Sequence, residues 1–271
     1  MLSSLFVAFL AGLAAASPSS PLHERDLKKR AATLIPDTCF SSTSTFESYF
    51  SYNYPWGDTH NGAALMSKAQ VSIIHNAYLQ LQSDYTGPQS GNSKLKYNSG
   101  TVYAKQKFTV QKGGGLDFKA NFVAPVAKGT WPAFWLNGAN SWPPEIDLAE
   151  WKGTGKISFN TLSYYDSKFA NAEMNSNTSS EVKATDVTYP SPTTAWRTIL
   201  AELRAESDGT TVKINFYMDG KLITTQYGAK MVGAPFNLII DYQMEGSSGT
   251  PGPQTTTYFD VQYLSVTSYN P

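Results

Sequence analysis

Three acidic residues fall within six positions at Glu145-Ile146-Asp147-Leu148-Ala149-Glu150, in a chain with only 21 Asp and Glu among 271 residues. Side chains alternate along a strand, so Glu145 and Asp147 share one face and Glu150 falls on the other. One extra residue, taken up as a β-bulge near Leu148-Ala149, returns Glu150 to the first face; bulges recur beside active sites. Three carboxyls in one cleft suit glycoside hydrolysis. There one carboxylate attacks the sugar while a second serves as acid and base, about 5–5.5 Å away in the retaining case. A third carboxyl between them raises the acid by repulsion and can hydrogen-bond the nucleophile. The competing use of three acids is a divalent cation, but one strand face offers it poor geometry and no Asp/Asn/Gly loop surrounds the motif. A merely solvated strand fits badly, because Trp131, Phe134, Trp135, Trp142 and Trp151 crowd the flanks.

The elements that must hold this motif read as strands. Thr211–Met218 alternates, with Val212, Ile214, Phe216 and Met218 on one face, and is followed by the hairpin signal Asp219-Gly220 and a returning strand over Lys221–Tyr227. Further strands are expected over Thr101–Gln111, Leu116–Val123, Trp131–Leu136, Glu145–Trp151, Lys156–Tyr165, Trp196–Leu203, Phe236–Gln243 and Tyr258–Val266. Val71–Ile74 and Tyr78–Gln82 fit strands about a His75-Asn76 turn, although a helix competes over Ala63–Ile74. More than ten short strands with Gly, Pro, Asn and Ser between them, and neither repeat nor linker, predict an all-β protein: one β-sandwich of jelly-roll type spanning residues 31–271.

Composition narrows the rest. Lys and Arg also number 21, so net charge is zero, which argues against nucleic acid or an anionic membrane as partner. Only 15% of residues are charged and 13% are aromatic, a balance foreign to coiled coils. Leu5–Ala16 has the length of a signal-peptide core and ends in an A-x-A cleavage site, so residues 1–16 are expected to be removed. Residues 17–30 read as a propeptide closing on the dibasic Lys28-Lys29-Arg30. No hydrophobic C-terminal tail suggests an anchor. Asn177-Thr178-Ser179 is a glycosylation sequon in a polar stretch. These features predict a secreted protein, neither bound to nor crossing a membrane. The single cysteine, Cys39, is expected to be a buried, inert thiol. His23, His60 and His75 are scattered and support no Ser-His-Asp system, and Gly113-Gly114-Gly115 lacks the lysine of a phosphate loop.

The block Gly129-Thr-Trp-Pro-Ala-Phe-Trp-Leu-Asn-Gly138, followed by Pro143-Pro-Glu-Ile-Asp-Leu-Ala-Glu150, closely resembles the core of glycoside hydrolase family 16. Tyr97–Gly100, the Lys107-Phe108 strand and the C-terminal half agree more loosely. The resemblance implies a concanavalin-like jelly roll, Glu145 as nucleophile, Glu150 as acid/base and Asp147 as modulator of the nucleophile. The bulged spacing is of the laminarinase type, which implies a retaining endo-β-glycanase acting on a neutral polysaccharide, most simply β-1,3- or β-1,3-1,4-glucan. A transglycosylase, or a non-catalytic carbohydrate-binding protein on the same fold, are the alternatives. Trp131, Ala133 and Trp135 share parity, so both indoles can face the cleft, and Trp142 is expected at its rim. No cofactor is required; a structural Ca²⁺ is compatible but has no sequence signature, and a monomer is expected. In two places the chain departs from the family pattern. Ser163 stands where many members carry a histidine, and Asp241 and Glu245 bring carboxylates to a late strand, where both could line the cleft and alter the substrate.

Overall fold

The computed structural model describes residues 31–164, 173–175 and 180–271; the expected signal and propeptide segments and Asn177 lie outside them. Two sheets, antiparallel but for one parallel edge pair in the second, face one another. The first runs, in spatial order, β12 (Glu173–Asn175), β13 (Ser180–Thr188), β11 (Lys156–Tyr164), β10 (Glu145–Glu150), β9 (Thr130–Gly138), β17 (Pro235–Met244), β7 (Thr101–Thr109) and β2 (Phe50–Tyr52). The second runs β16 (Lys221–Gly228), β15 (Val212–Met218), β14 (Arg197–Ala205), β8 (Gly115–Val123), β18 (Thr257–Ser268), β5 (Tyr78–Tyr85), β6 (Tyr97–Ser99) and β3 (Ala64–Met66). On it, β1 (Ala32–Ile35) pairs with β18 and β4 (Val71–Ile74) with β5. The acidic strand is thus central to its sheet, and the architecture is the expected jelly-roll sandwich.

Alternation builds the core. Every second residue of a strand points between the sheets, and rings from opposed sheets meet there. Phe108 lies 5.4 Å from Phe118, Phe122 5.2 Å from Phe134, and Phe159 5.4 Å from Phe216. Each such ring, wholly buried, contributes about 1.5–3 kcal/mol of transfer free energy. Cys39 is in this core, where burial pushes its thiol up to about 12, so it stays protonated.

The ambiguous Ala63–Ile74 segment is extended: β3, a 3₁₀ turn over Lys68–Gln70, then β4. His75 and Asn76 both have positive φ, 52° and 54°, and with Ala77 they make the three-residue turn to β5. The sequence reading missed the short strands β1, β2, β6 and β12, and two further elements. The helix α1 (Thr43–Tyr49) is capped by Ser42, whose Oγ accepts from the Thr45 amide at 2.9 Å. The strand β13 is polar enough to pass for a loop, yet it pairs with all of β11.

Candidate active site

Register places the acids. On one side Glu145, Asp147 and Glu150 lie opposite Asn137, Trp135 and Ala133 of β9; on the other they lie opposite Leu162, Asn160 and Ser158 of β11. Between Asp147 and Glu150 the strand spends one residue more than either neighbour. This is the bulge that parity demands. Leu148 and Ala149 fill the core while all three carboxyls open on one cleft. The odd-numbered positions of β9 supply Trp131, Ala133, Trp135 and Asn137 to the same face.

The cleft has a volume of about 590 Å³. Each outer acid is met by an indole: Trp131 Nε1 donates to Glu150 Oε1 at 2.6 Å, and Trp142 Nε1 to Glu145 Oε2 at 3.2 Å. Trp142 itself stands at the rim, 47% exposed. One amide bridges the other two acids. Asn160 Nδ2 donates to Asp147 Oδ2 and to Glu150 Oε2, 2.9 Å in each case. Lys152 completes the shell of Glu150 with an ion pair at 2.8 Å. Burial opposes the Lys152 charge, but the hydrogen bond and attraction to Glu150, with Asp147 and Asp186 adding to them, together hold the ammonium above its ordinary value.

Crowding acts on the acids in the opposite sense. Desolvation pushes Glu145 up to about 7; repulsion from Glu150 adds to this, while the Trp142 and Asn137 hydrogen bonds restrain it. Asp147, buried at the base of the cleft, lies well above the carboxylate range, first through desolvation and then through Glu145 and Glu150. A fourth carboxyl lines the cleft floor from β17. Asp241 accepts from Tyr54 Oη and from Trp135 Nε1, both at 2.8 Å, and burial pushes it up to about 7. Among the described residues, no group of three or more His, Cys, Asp or Glu is arranged to hold a metal ion.

Two expectations about the cleft are corrected. Ser163 is fully buried facing the core, its Oγ donating to the Tyr164 carbonyl, because the cleft positions of β11 are Asn160 and Leu162. The run-by-run match to the family pattern ignored strand parity. Glu245 does not line the cleft either. It leaves the strand with φ 55° and is clasped by Lys96 Nζ at 2.8 Å and the Gly252 amide at 3.1 Å. The next residue, Gly246, lies against the Trp131 ring, where a Cβ would come within 2.7 Å of it. Of the pair, only Asp241 reaches the cleft. Conversely, Trp56, His60, Asn160 and Lys152 line it without having been anticipated. Asn160 and Lys152 were legible in principle, the first from β11 parity and the second from standing two residues past Glu150.

A sheet face carrying carboxyls, indoles and amides in an open cleft defines a β-sandwich glycan hydrolase. Comparison with known proteins agrees. No family model matches the chain. Over 243 residues it is 41% identical to the galactan endo-β-1,3-galactanase of Flammulina velutipes, covering 88% of this chain and 90% of the relative. Among solved structures, the endo-1,3-β-glucanase of Streptomyces sioyaensis shares the fold at TM-score 0.67. It is 22% identical, over 94% of this chain and all of that one. SCLam, a non-specific endo-β-1,3(4)-glucanase of family GH16, gives 0.63 at 14% identity, over 88% and 91% of the two chains. The chain belongs to glycoside hydrolase family 16 and is an endo-β-glycanase.

Proposed function

We propose that the enzyme cuts β-1,3-linked glycan by a retaining double displacement, with Glu145 as nucleophile, Glu150 as acid and then base, and Asp147 as the modulator between them. The observation that carries this reading is the extra residue at Leu148-Ala149, which turns Glu150 into the cleft that holds Glu145. In the first step Glu150 gives its proton to the glycosidic oxygen as Glu145 attacks the anomeric carbon; the C–O bond to the leaving chain breaks and a glycosyl ester forms. Trp131, Asn160 and Lys152 then hold the carboxylate left on Glu150. In the second step Glu150 takes a proton from water, whose oxygen attacks the same carbon and frees Glu145. Burial disfavours the Glu145 anion in the empty cleft, but positive charge developing on the sugar ring favours it at the moment of attack. Burial likewise disfavours a second negative charge on Asp147 beside it. No cofactor enters these steps.

The polymer we assign is β-1,3-galactan. The 41% identity to a galactanase spans nearly all of both chains, whereas the glucanases share 22% or less and speak for the fold alone. β-1,3-Glucan is the second reading, favoured by the laminarinase-type acid spacing. The Leu5–Ala16 run and the Lys28-Lys29-Arg30 site support a secreted enzyme, which we take to act as a monomer. The test is reducing-end release from β-1,3-galactan, laminarin and barley β-glucan, with NMR of the first anomer formed and Glu145→Gln as control. Retained configuration on galactan supports the whole reading, and cleavage of laminarin alone replaces the polymer. Products longer than the substrate would make the enzyme a transglycosylase. Inversion, or no release from any polymer with equal binding by both proteins, overturns the mechanism.

A further inference from the structure

Strand β17 ends at Met244, and the residue after it breaks a backbone rule. Glu245 has φ 55° and ψ −139°, a conformation that glycine adopts freely and a residue with a Cβ adopts only under strain. Such strain persists only where the surroundings hold it, and it gathers beside functional sites. Glu245 is also buried, a rare place for a carboxylate without partners. Lys96 Nζ donates to its Oε2 at 2.8 Å, the Gly252 amide to its Oε1 at 3.1 Å, and Tyr97 Oη to the same oxygen at 3.4 Å. Burial works against the charge, but the Lys96 and Gly252 hydrogen bonds, the Lys96 ammonium and the Thr250 side chain together hold the carboxyl below its ordinary value. One side chain thus ties together the turn after β17, the start of β6 and the loop before β18.

What it clamps is the turn from Glu245 to Gly249. The Ser248 amide and hydroxyl both donate to the Glu245 carbonyl, at 3.2 and 2.8 Å. The Glu245 amide donates to the Gly129 carbonyl at 2.8 Å, and the Gly129 amide to the Ser248 carbonyl at 2.9 Å, so the turn is fastened to the start of β9. It then meets two partners of Glu150. Gly246 touches the Trp131 ring, where no Cβ fits, and Gly153, the neighbour of Lys152, lies so close to the Ser248 carbonyl that a Cβ would come within 2.8 Å of it. Trp131 donates to Glu150 Oε1 and Lys152 pairs with Glu150 Oε2. Asn160, the third partner, stands apart on β11.

We propose that Glu245 is a positioning residue for the acid/base, its carboxylate clamping the turn that seats Trp131 and the Lys152-Gly153 bend against Glu150. This rests on the reading of Glu150 as the proton donor. Proton transfer depends on placement: a small displacement of the indole lengthens the 2.6 Å bond and lets the carboxyl turn from the glycosidic oxygen. The strain at Glu245 then has a use. A glycine would suit the backbone, but it would leave Lys96 and the Gly252 amide without the acceptor they share.

The test compares wild type, Glu245→Gly, Lys96→Met and Lys96→Arg in kcat/KM, which reports the steps up to the first bond cleavage. The substrates are β-1,3-galactan and a dinitrophenyl β-1,3-galacto-oligoside, whose leaving group needs no proton. Glu245→Gly relieves the backbone while removing the clamp, and thermal unfolding checks that each variant folds. Glu245→Gly and Lys96→Met are each expected to lose about tenfold on the polymer and less than about twofold on the aryl substrate, the scale of weakening one charge-assisted bond to the acid, while Lys96→Arg stays near wild type. No loss on the polymer, or an equal loss on both substrates, overturns the clamp. Glu150→Gln runs alongside: if it loses equally on both substrates, Glu150 is not the proton donor and the active-site reading fails instead. Solvent exchange of the Trp131 indole proton, followed by NMR and assigned by its absence in Trp131→Phe, judges the clamp apart from activity. Exchange faster by about fivefold or more in Glu245→Gly supports it, and an unchanged rate refutes it.

Discussion

Asp241 sits at the cleft floor, 3% exposed, with both oxygens engaged: Oδ1 by Trp135 Nε1 and Oδ2 by Tyr54 Oη. Burial lifts it from 3.8 to about 7. The folded state therefore holds a proton that the unfolded chain gives up once pH passes 3.8. The stability this contributes is full below that pH and is lost progressively up to about 7. A displacement of this size corresponds to at most about 4 kcal/mol, and roughly 2–4 kcal/mol once sharing with Glu145 and Glu150 is allowed for. Asp241→Asn mimics the protonated acid. Its carbonyl still accepts from Trp135, and its amide donates to Tyr54 Oη. The variant should match wild type near pH 4 and exceed it near pH 8, with the difference in Tm between the proteins widening by roughly 5–12 °C. Thermal unfolding of both proteins from pH 4 to 8 tests this. A gap that stays constant with pH would refute the reasoning, since it would mean that Asp241 ionises in the folded protein as freely as in the unfolded one.

The other predictions concern the acids and their indole. Glu145→Gln should lower kcat by at least about a thousandfold while raising Tm above pH 7, because the carboxyl it replaces is pushed up to about 7 and its charge is costly there. Glu150→Gln should lose about 10²–10⁴ in kcat on the polymer and much less on aryl glycosides whose leaving group needs no proton, as steady-state kinetics on the two substrate types will show. Trp131→Phe removes the 2.6 Å bond to Glu150, a charge-assisted contact worth about 1.5–3 kcal/mol, so kcat should fall roughly ten- to a hundredfold with KM little changed. A rise in KM alone would place Trp131 in ground-state binding instead.

What was legible in the sequence was whatever strand parity controls. Period-two alternation gave the two-sheet core, and on the acidic strand it exposed a contradiction, Glu150 facing inward, that only an inserted residue could resolve; the register shows that residue. The same rule placed Trp131 and Trp135 on the cleft face. It failed where it was not applied: counting β11 by parity from Asn160 sends Leu162 to the cleft and Ser163 to the core. Asp241 and Glu245 share parity on paper, but the strand ends at Met244 and a positive φ at Glu245 turns its side chain onto Lys96. No local pattern marks that turn. Trp56 and His60 were illegible for a different reason, since their loop becomes part of the cleft only when the Ala63 amide meets the Met244 carbonyl across the fold. Parity is a local rule and gives the catalytic strand. The far side of the cleft is built by long-range closure, and its residues are therefore the ones a sequence hides best.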